Sequence, residues 1–247
     1  MRFIGFSTGA LALGDFGLAL NMLRDFNTKA VELSALRDHE VDPLMSALPA
    51  LDLHGYSYVS VHAPSAFKTL TEDEVAARLT PCIDRNIPVV IHPDVIQNPG
   101  CWRRFGQLLC VENMDKRKRT GRTANELEYF FSELPEATFC LNLGHSRQID
   151  STMSETRRIL RKYGQRLRQI HFSEIDAQGH HHGATLATIL TTRSIVDLIG
   201  SEVPVIIESQ ISSSEIAREL AVVRHALEPS TDPTREGAIK DWGEDYH

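Results

Sequence analysis

Histidine, glutamate or asparagine closes six short apolar runs in this chain: Tyr58–His62, Pro88–His92, Leu108–Glu112, Thr138–Asn142, Gln169–His171 and Pro204–Glu208. A lone histidine at a strand end is more often a hydrogen-bonded structural residue than a ligand. Six ligand-type residues at the same end of six strands differ, because parallel strands closed into a barrel would bring them to one rim. Imidazole and carboxylate together suit zinc, manganese, iron or cobalt, whereas magnesium prefers a site richer in oxygen. His62, His92, Glu112, Asn142, His145, His171 and Glu208 outnumber the ligands of one tetrahedral ion. One to three divalent ions are therefore expected, with Glu112 or Glu208 bridging.

Glu112 and Glu208 fall on the fifth and eighth strands, so they are expected to face each other across the mouth. Such a pair beside a Lewis acid could move a proton between the two faces of a sugar. The same cluster could clamp the attacking and leaving oxygens of a phosphoester. Glu112, Glu208 and His145 are the candidate catalytic groups. In Asn142-Leu-Gly-His145 the first and fourth residues point into the mouth, with Gly144 allowing a tight turn. After the seventh strand comes Gly179-His180-His181-His182-Gly183; neighbouring side chains of an extended segment diverge, so His180 and His182 are expected to act together while His181 points away. A histidine-rich solvated loop is an equally good reading for at least one of the three. Lys116, Arg117, Arg119 and Arg122 follow Glu112, and Arg147 follows His145; these five are candidates for gripping a phosphate, against the plainer reading of a solvated loop. Glu32, at the end of the second strand, is a weaker candidate for substrate contact, an ion pair near the rim being the simpler reading.

Eight strands must position these groups. The other two are Arg2–Ser7 and Ala30–Leu33, and runs this apolar suit strands covered on both faces, as in a parallel sheet under helices. Thr123-Ala-Asn-Glu126 and Ser212-Ser-Ser-Glu215 read as capping boxes that open helices. Ser154–Tyr163 reads as a basic amphipathic helix with a solvated face. Between His92 and Leu108 only a stub of helix is expected. The fold class is α/β: a single (β/α)8 barrel over 1–227 with a polar tail over 228–247, one domain in all, and a poorly formed helix between strands four and five.

The length of 247 residues suits such a barrel. A net charge of −7 and a pI near 5.9 argue against a general polyanion binder. No apolar run reaches a membrane span. Met1–Phe6 enters a strand without the apolar core of a signal peptide. Cys82, Cys101, Cys110 and Cys140 show no CxxC spacing, and a cytoplasmic setting is expected.

Val111-Glu112-Asn113, Cys140-Leu-Asn142-Leu-Gly-His145, Ile170-His171 and Ile207-Glu208-Ser209 together resemble the xylose-isomerase-like TIM-barrel superfamily, which includes endonuclease IV and the sugar phosphate isomerase/epimerase enzymes. The resemblance runs to about Leu227. The epimerase branch places Glu, Asp, His and Glu on strands five to eight, which implies roles for Glu112, Asn142, His171 and Glu208. The endonuclease IV branch adds histidines on strands three and four, one three residues past the strand-six Asp, and an Asp-x-His pair after strand seven. His62, His92 and His145 match these, with His180 and His182 where the Asp-x-His pair would fall. Asn142 and His180 each replace an expected Asp, and a neutral amide ligates weakly.

Three functions follow. A divalent-metal-dependent isomerase or epimerase of a small sugar or sugar phosphate comes first, on the Glu112/Glu208 pair, compact loops and acidic balance. A zinc phosphoesterase resembling endonuclease IV comes second, on the additional histidines and the basic loop; nucleic acid as partner is less expected, because the loops look too short to invade a duplex. A non-catalytic or oxidative metal-binding relative is kept open by Asn142.

Overall fold

The computed structural model describes residues 2–228. The polar tail expected over 228–247 lies, past Glu228, outside the described residues. Eight parallel strands close a barrel: β1 (Ile4–Ser7), β2 (Ala30–Ser34), β3 (Tyr58–His62), β4 (Val89–Ile91), β5 (Leu109–Glu112), β6 (Thr138–Asn142), β7 (Leu167–Phe172) and β10 (Val205–Ile207), with β1 pairing both β2 and β10. A two-stranded antiparallel hairpin, β8 (Glu174–Ile175) and β9 (His181–His182), stands after β7. Nearly every barrel-strand residue is buried, as expected for strands packed on both faces.

Alternation along the strands sets what lines the barrel. Two residues before His62, His92, Glu112, Asn142, His171 and Glu208 stand Ser60, Val90, Cys110, Cys140, Gln169 and Ile206. These carry small or polar side chains, or the single larger Ile206, on the same face and one step deeper. Val90, Cys110 and Cys140 form a small apolar cluster of their own, separate from the main core. All four cysteines are buried and unpaired by disulfides. At β1 the barrel is too tight for any side chain but hydrogen: a Cβ on Gly5 would lie 1.5 Å from the Ala30 carbonyl oxygen.

The outer helices bury apolar faces against this cylinder. Thr71 opens the helix Glu72–Arg78, accepting from the Glu74 N–H while Glu74 accepts from the Thr71 N–H at 2.8 Å; this capping box stands beyond the two expected. Ser212 and Glu215 make the reciprocal pair. Thr123 caps the helix Ala124–Glu133, but Glu126 returns its carboxylate to the Arg122 N–H, so that box is half formed. The helix Ser154–Tyr163 buries Thr156, Ile159, Leu160 and Tyr163 and turns its charges outward. Between β4 and β5 the connection is the four-residue helix Pro99–Trp102 and a 3-10 segment kinked at Gly106, φ 51°. Trp102, wholly buried, secures this stub by donating to Glu72 at 2.7 Å. Among the described residues no helix is long and apolar enough to cross a membrane.

Candidate metal centre at the barrel mouth

The strand ends converge as the parallel barrel requires. Glu112, at the end of β5, is 1 % exposed and stands at the centre. Its Oε2 faces His62 Nε2 at 3.2 Å and His92 Nε2 at 3.5 Å. Its Oε1 faces His171 Nδ1 and His145 Nδ1, both at 3.3 Å. Glu208 Oε1 also lies 3.3 Å from His171 Nδ1. A carboxylate this deeply buried must be paired or lose its charge. Burial opposes ionisation of Glu112, yet His171 and the bonds from His145 and His62 hold its pKa well below the usual carboxylate range.

The imidazoles respond in two ways. Burial pushes His62 down, but the Glu112 contact and the charge of Glu32 outweigh it and lift its pKa to about 9. His171 is likewise raised well above its ordinary value despite burial, by Glu208, Glu32 and Glu112. His92 and His181 go the other way, because burial prevails over their carboxylate partners. Backbone contacts orient two of the rings: His62 Nδ1 lies 2.7 Å from the Ala63 carbonyl and His145 Nδ1 lies 2.8 Å from that of Asn113. A proton on each Nδ1 leaves Nε2 as the free donor atom.

Glu32 is not at the rim but wholly buried beneath it. Its Oε2 accepts from Ser60 Oγ at 2.9 Å and Gln169 Nε2 at 2.8 Å, and lies 3.1 Å from His171 Nε2. Tyr58 extends the chain by donating to Gln169 Oε1 at 2.6 Å. A carboxylate behind the far nitrogen of an imidazole favours a proton there and turns the other nitrogen toward the site. That other nitrogen, His171 Nδ1, is buried without a hydrogen-bond partner.

Four sequence expectations change. Glu112 and Glu208 do not oppose each other across the mouth; they are neighbours, each 2.8 Å from the same atom, Asn142 Nδ2. Asn142 presents a donor where a ligand was expected, because its Oδ1 accepts the His145 N–H at 3.0 Å as the cap of the helix Leu143–Ile149. Gly144 sits inside that helix rather than in a turn, and a Cβ there would meet the Ile175 side chain at 2.6 Å and the Ser173 carbonyl at 2.9 Å. The histidine triplet is inverted. His181 turns inward, 3.6 Å from Glu208 Oε2 and 2.9 Å from Ser173 Oγ. His180 and His182 turn outward to Asp176 at 3.2 and 2.9 Å.

A cavity of about 430 Å³ opens over the centre, lined by His62, His92, Glu112, His145, His181 and Glu208, with Arg117 and Lys118 on its wall. Of the five cations expected to grip phosphate, Arg117 alone lines it. Arg122 pairs with Glu126 and Arg147 with Glu174, while Lys116 and Arg119 are exposed outside the lining. Arg117 is itself paired with Asp115 at 2.8 Å, and Lys118 with Asp94 at 2.8 Å. Lys118 and Asp115, in the basic loop, were not singled out from sequence, and His181 was expected to point away; the alternation rule could have turned it inward only with the hairpin register known.

Whether a divalent ion fits is decided by spacing. Ligand atoms about 2.0–2.1 Å from a tetrahedral ion lie about 3.4 Å from one another. His62 Nε2 and His92 Nε2 stand at 3.2 and 3.5 Å from Glu112 Oε2, and ligand atoms of these three residues lie within 4.8 Å of one another. This set fits. His171, Glu112 and Glu208 form a second set at 3.3 Å spacing, but the Asn142 amide nitrogen occupies its remaining side.

A closed (β/α)8 barrel with a histidine- and glutamate-lined mouth is the class that fold and site define, and solved structures share the fold. Endonuclease IV from Thermus thermophilus superposes with a TM-score of 0.60 at 17 % identity, over 92 % of this chain and 99 % of that one. A 3-keto-D-glucoside 4-epimerase from E. coli gives 0.54 at 14 %, over 91 % and 99 %. A xylose isomerase-like TIM barrel protein from Mycobacterium smegmatis, solved with magnesium, gives 0.52 at 12 %, over 89 % and 92 %. The (β/α)8 barrel fold is thus shared with these structures. No family model matches the chain, and no curated protein matches it.

Proposed function

We propose that the protein is a divalent-metal-dependent phosphoesterase acting on a small phosphorylated substrate. The observation that carries this reading is the location of a donor set whose shared oxygen, Glu112 Oε2, meets imidazoles and no amide N–H, unlike the overlapping group of Glu32, His62, His171 and Glu208. That donor set lies on β3, β4 and β5, at His62, His92 and Glu112, where the endonuclease IV resemblance adds histidines. The set that the epimerase resemblance relies on, Glu112, Asn142, His171 and Glu208 at the ends of β5, β6, β7 and β10, has the Asn142 N–H groups turned into it. The residues alone put isomerisation first; this geometry reverses the order.

A bound ion would lower the pKa of a water and neutralise phosphoryl oxygens. The protein's own groups do the rest. His62 and His92 present Nε2 atoms to one side of Glu112, and His145 and His171 stand with Nδ1 3.3 Å from its other oxygen. Glu208, beside the neutral imidazole of His181, accepts the proton of an attacking water. Arg117 and Lys118 give the wall positive charge that a substrate phosphate shares with Asp115 and Asp94. The cavity suits a small molecule, and a net charge of −7 argues against an extended grip on duplex nucleic acid.

A single-ion isomerase or epimerase is the second reading, favoured by His171 Nδ1 standing 3.3 Å from both Glu112 and Glu208. One experiment separates them. Metal-loaded protein is incubated with bis(p-nitrophenyl) phosphate and small sugar phosphates, and with ketoses in deuterated water. Hydrolysis that falls at least a hundredfold in His92→Ala supports the phosphoesterase. Deuterium exchange without hydrolysis, persisting in His92→Ala, would overturn it in favour of the isomerase.

A further inference from the structure

The hairpin after β7 carries a constellation that the mouth does not use. Its turn, 176–180, is closed by the Asp176 N–H donating to the His180 carbonyl at 3.1 Å and the Gly179 N–H to the Asp176 carbonyl at 3.0 Å. Gly179 has φ +87°, a backbone conformation that favours glycine, and its Cα faces the Arg117 guanidinium. Beyond it the strand alternates: His181 faces the barrel mouth, and His180 and His182 share the opposite face.

Asp176 is set to receive them. Its Oδ1 accepts the N–H groups of Gln178 and His180, each at 2.9 Å, which fixes the carboxylate in the turn. Its Oδ2 is left facing His180 Nδ1 at 3.2 Å and His182 Nε2 at 2.9 Å. The three ligand atoms lie within 4.8 Å of one another. Donors on a tetrahedral ion stand about 3.4 Å apart, so small side-chain rotations would open room for one. The side chains of His180 and His182 are 66 % and 53 % exposed, which leaves access for the ion and for a water as fourth ligand.

We propose that Asp176, His180 and His182 form a second metal site, on the outer face of the hairpin, for a borderline first-row ion such as zinc. Two imidazoles and one carboxylate select zinc, nickel or copper over magnesium and calcium. The role of the ion is structural. Held on the outer face, it ties the turn to β9, and β9 carries His181 on the inner face beside Glu208. The site is independent of the reading of the mouth, because none of its three residues lines the cavity.

Zinc binding to the full chain, stripped with chelator beforehand, tests the proposal against two double variants. The chain carrying His180→Ala and His182→Ala is expected to bind one equivalent fewer than the unaltered chain. The chain carrying His62→Ala and His92→Ala is expected to keep that equivalent. Asp176→Asn is expected to weaken it about tenfold or more, and zinc is expected to slow amide exchange across 174–182 only where both hairpin histidines remain. Equal stoichiometry and affinity in the unaltered chain and the hairpin double variant would overturn the proposal, as would zinc that leaves exchange in that segment unchanged.

Discussion

Asn142 shows how much one atom decides. An aspartate there would keep one oxygen on the His145 N–H and turn the other toward His171, Glu112 and Glu208; asparagine turns two N–H donors the same way. Asn142→Asp is therefore expected to add bound metal, raising occupancy of the donor set of Glu112, His171 and Glu208 toward a further full equivalent in elemental analysis; unchanged content would show that position to be outside the site. Glu32 acts from below, through the far nitrogen of His171. Glu32→Gln keeps the volume and removes the charge, and should weaken metal binding by roughly 10–100-fold while the fold persists, measured by competition with a chelating dye. The sequence identifies both residues but not their roles. The Asn142 amide is oriented by a helix cap, and Glu32 works one layer beneath the rim where an ion pair at the surface was the simpler expectation.

At the scale of elements, the barrel was legible because its strands announce themselves twice: as apolar runs and, for six of the eight, by the ligand-type residue that closes them. The hairpin was not, because its parity depends on turn length. A turn closed at 176–180 puts His181 inside, and one residue more or fewer would put His180 and His182 there instead. Another device at the rim left no sequence motif. Asp38, after β2, accepts from the N–H groups of Lys68, Thr69 and Leu70 at 2.7, 2.5 and 3.1 Å, and so ties down the loop beyond Ser65 of the cavity wall. The Thr69 N–H above all, against some opposition from burial, holds its pKa below the usual carboxylate range. A lowered folded pKa means that this stabilisation is present above the unfolded value near 4 and is lost as pH falls below it. Asp38→Asn should cost roughly 1–3 kcal/mol at pH 7, and the gap to the unaltered chain should narrow at pH 3, as read by urea unfolding. A gap of equal size at both pH values would contradict the tether.

For the whole molecule, the barrel brings together groups from positions 32 to 208 that no local motif connects, at the cost of burying charge. Glu32, Glu112, His62, His145 and His171 are each at most 4 % exposed, an arrangement that survives only because every carboxylate meets imidazole. Such a cluster suits the proposed cation site. The size of the mouth cavity and the cations on its wall support the proposed reading of a small phosphorylated substrate. The sequence reached the fold and the residues that gather at the mouth; the proposed preference for hydrolysis over isomerisation rests on atoms whose direction only packing determines. The most direct test is the metal content of the mouth itself, taken in the His180→Ala/His182→Ala background so that the hairpin does not contribute. Elemental analysis should find at least one equivalent of a divalent transition ion there and almost none after adding Glu112→Gln. Equal metal in the two proteins, or none in either, would contradict the account.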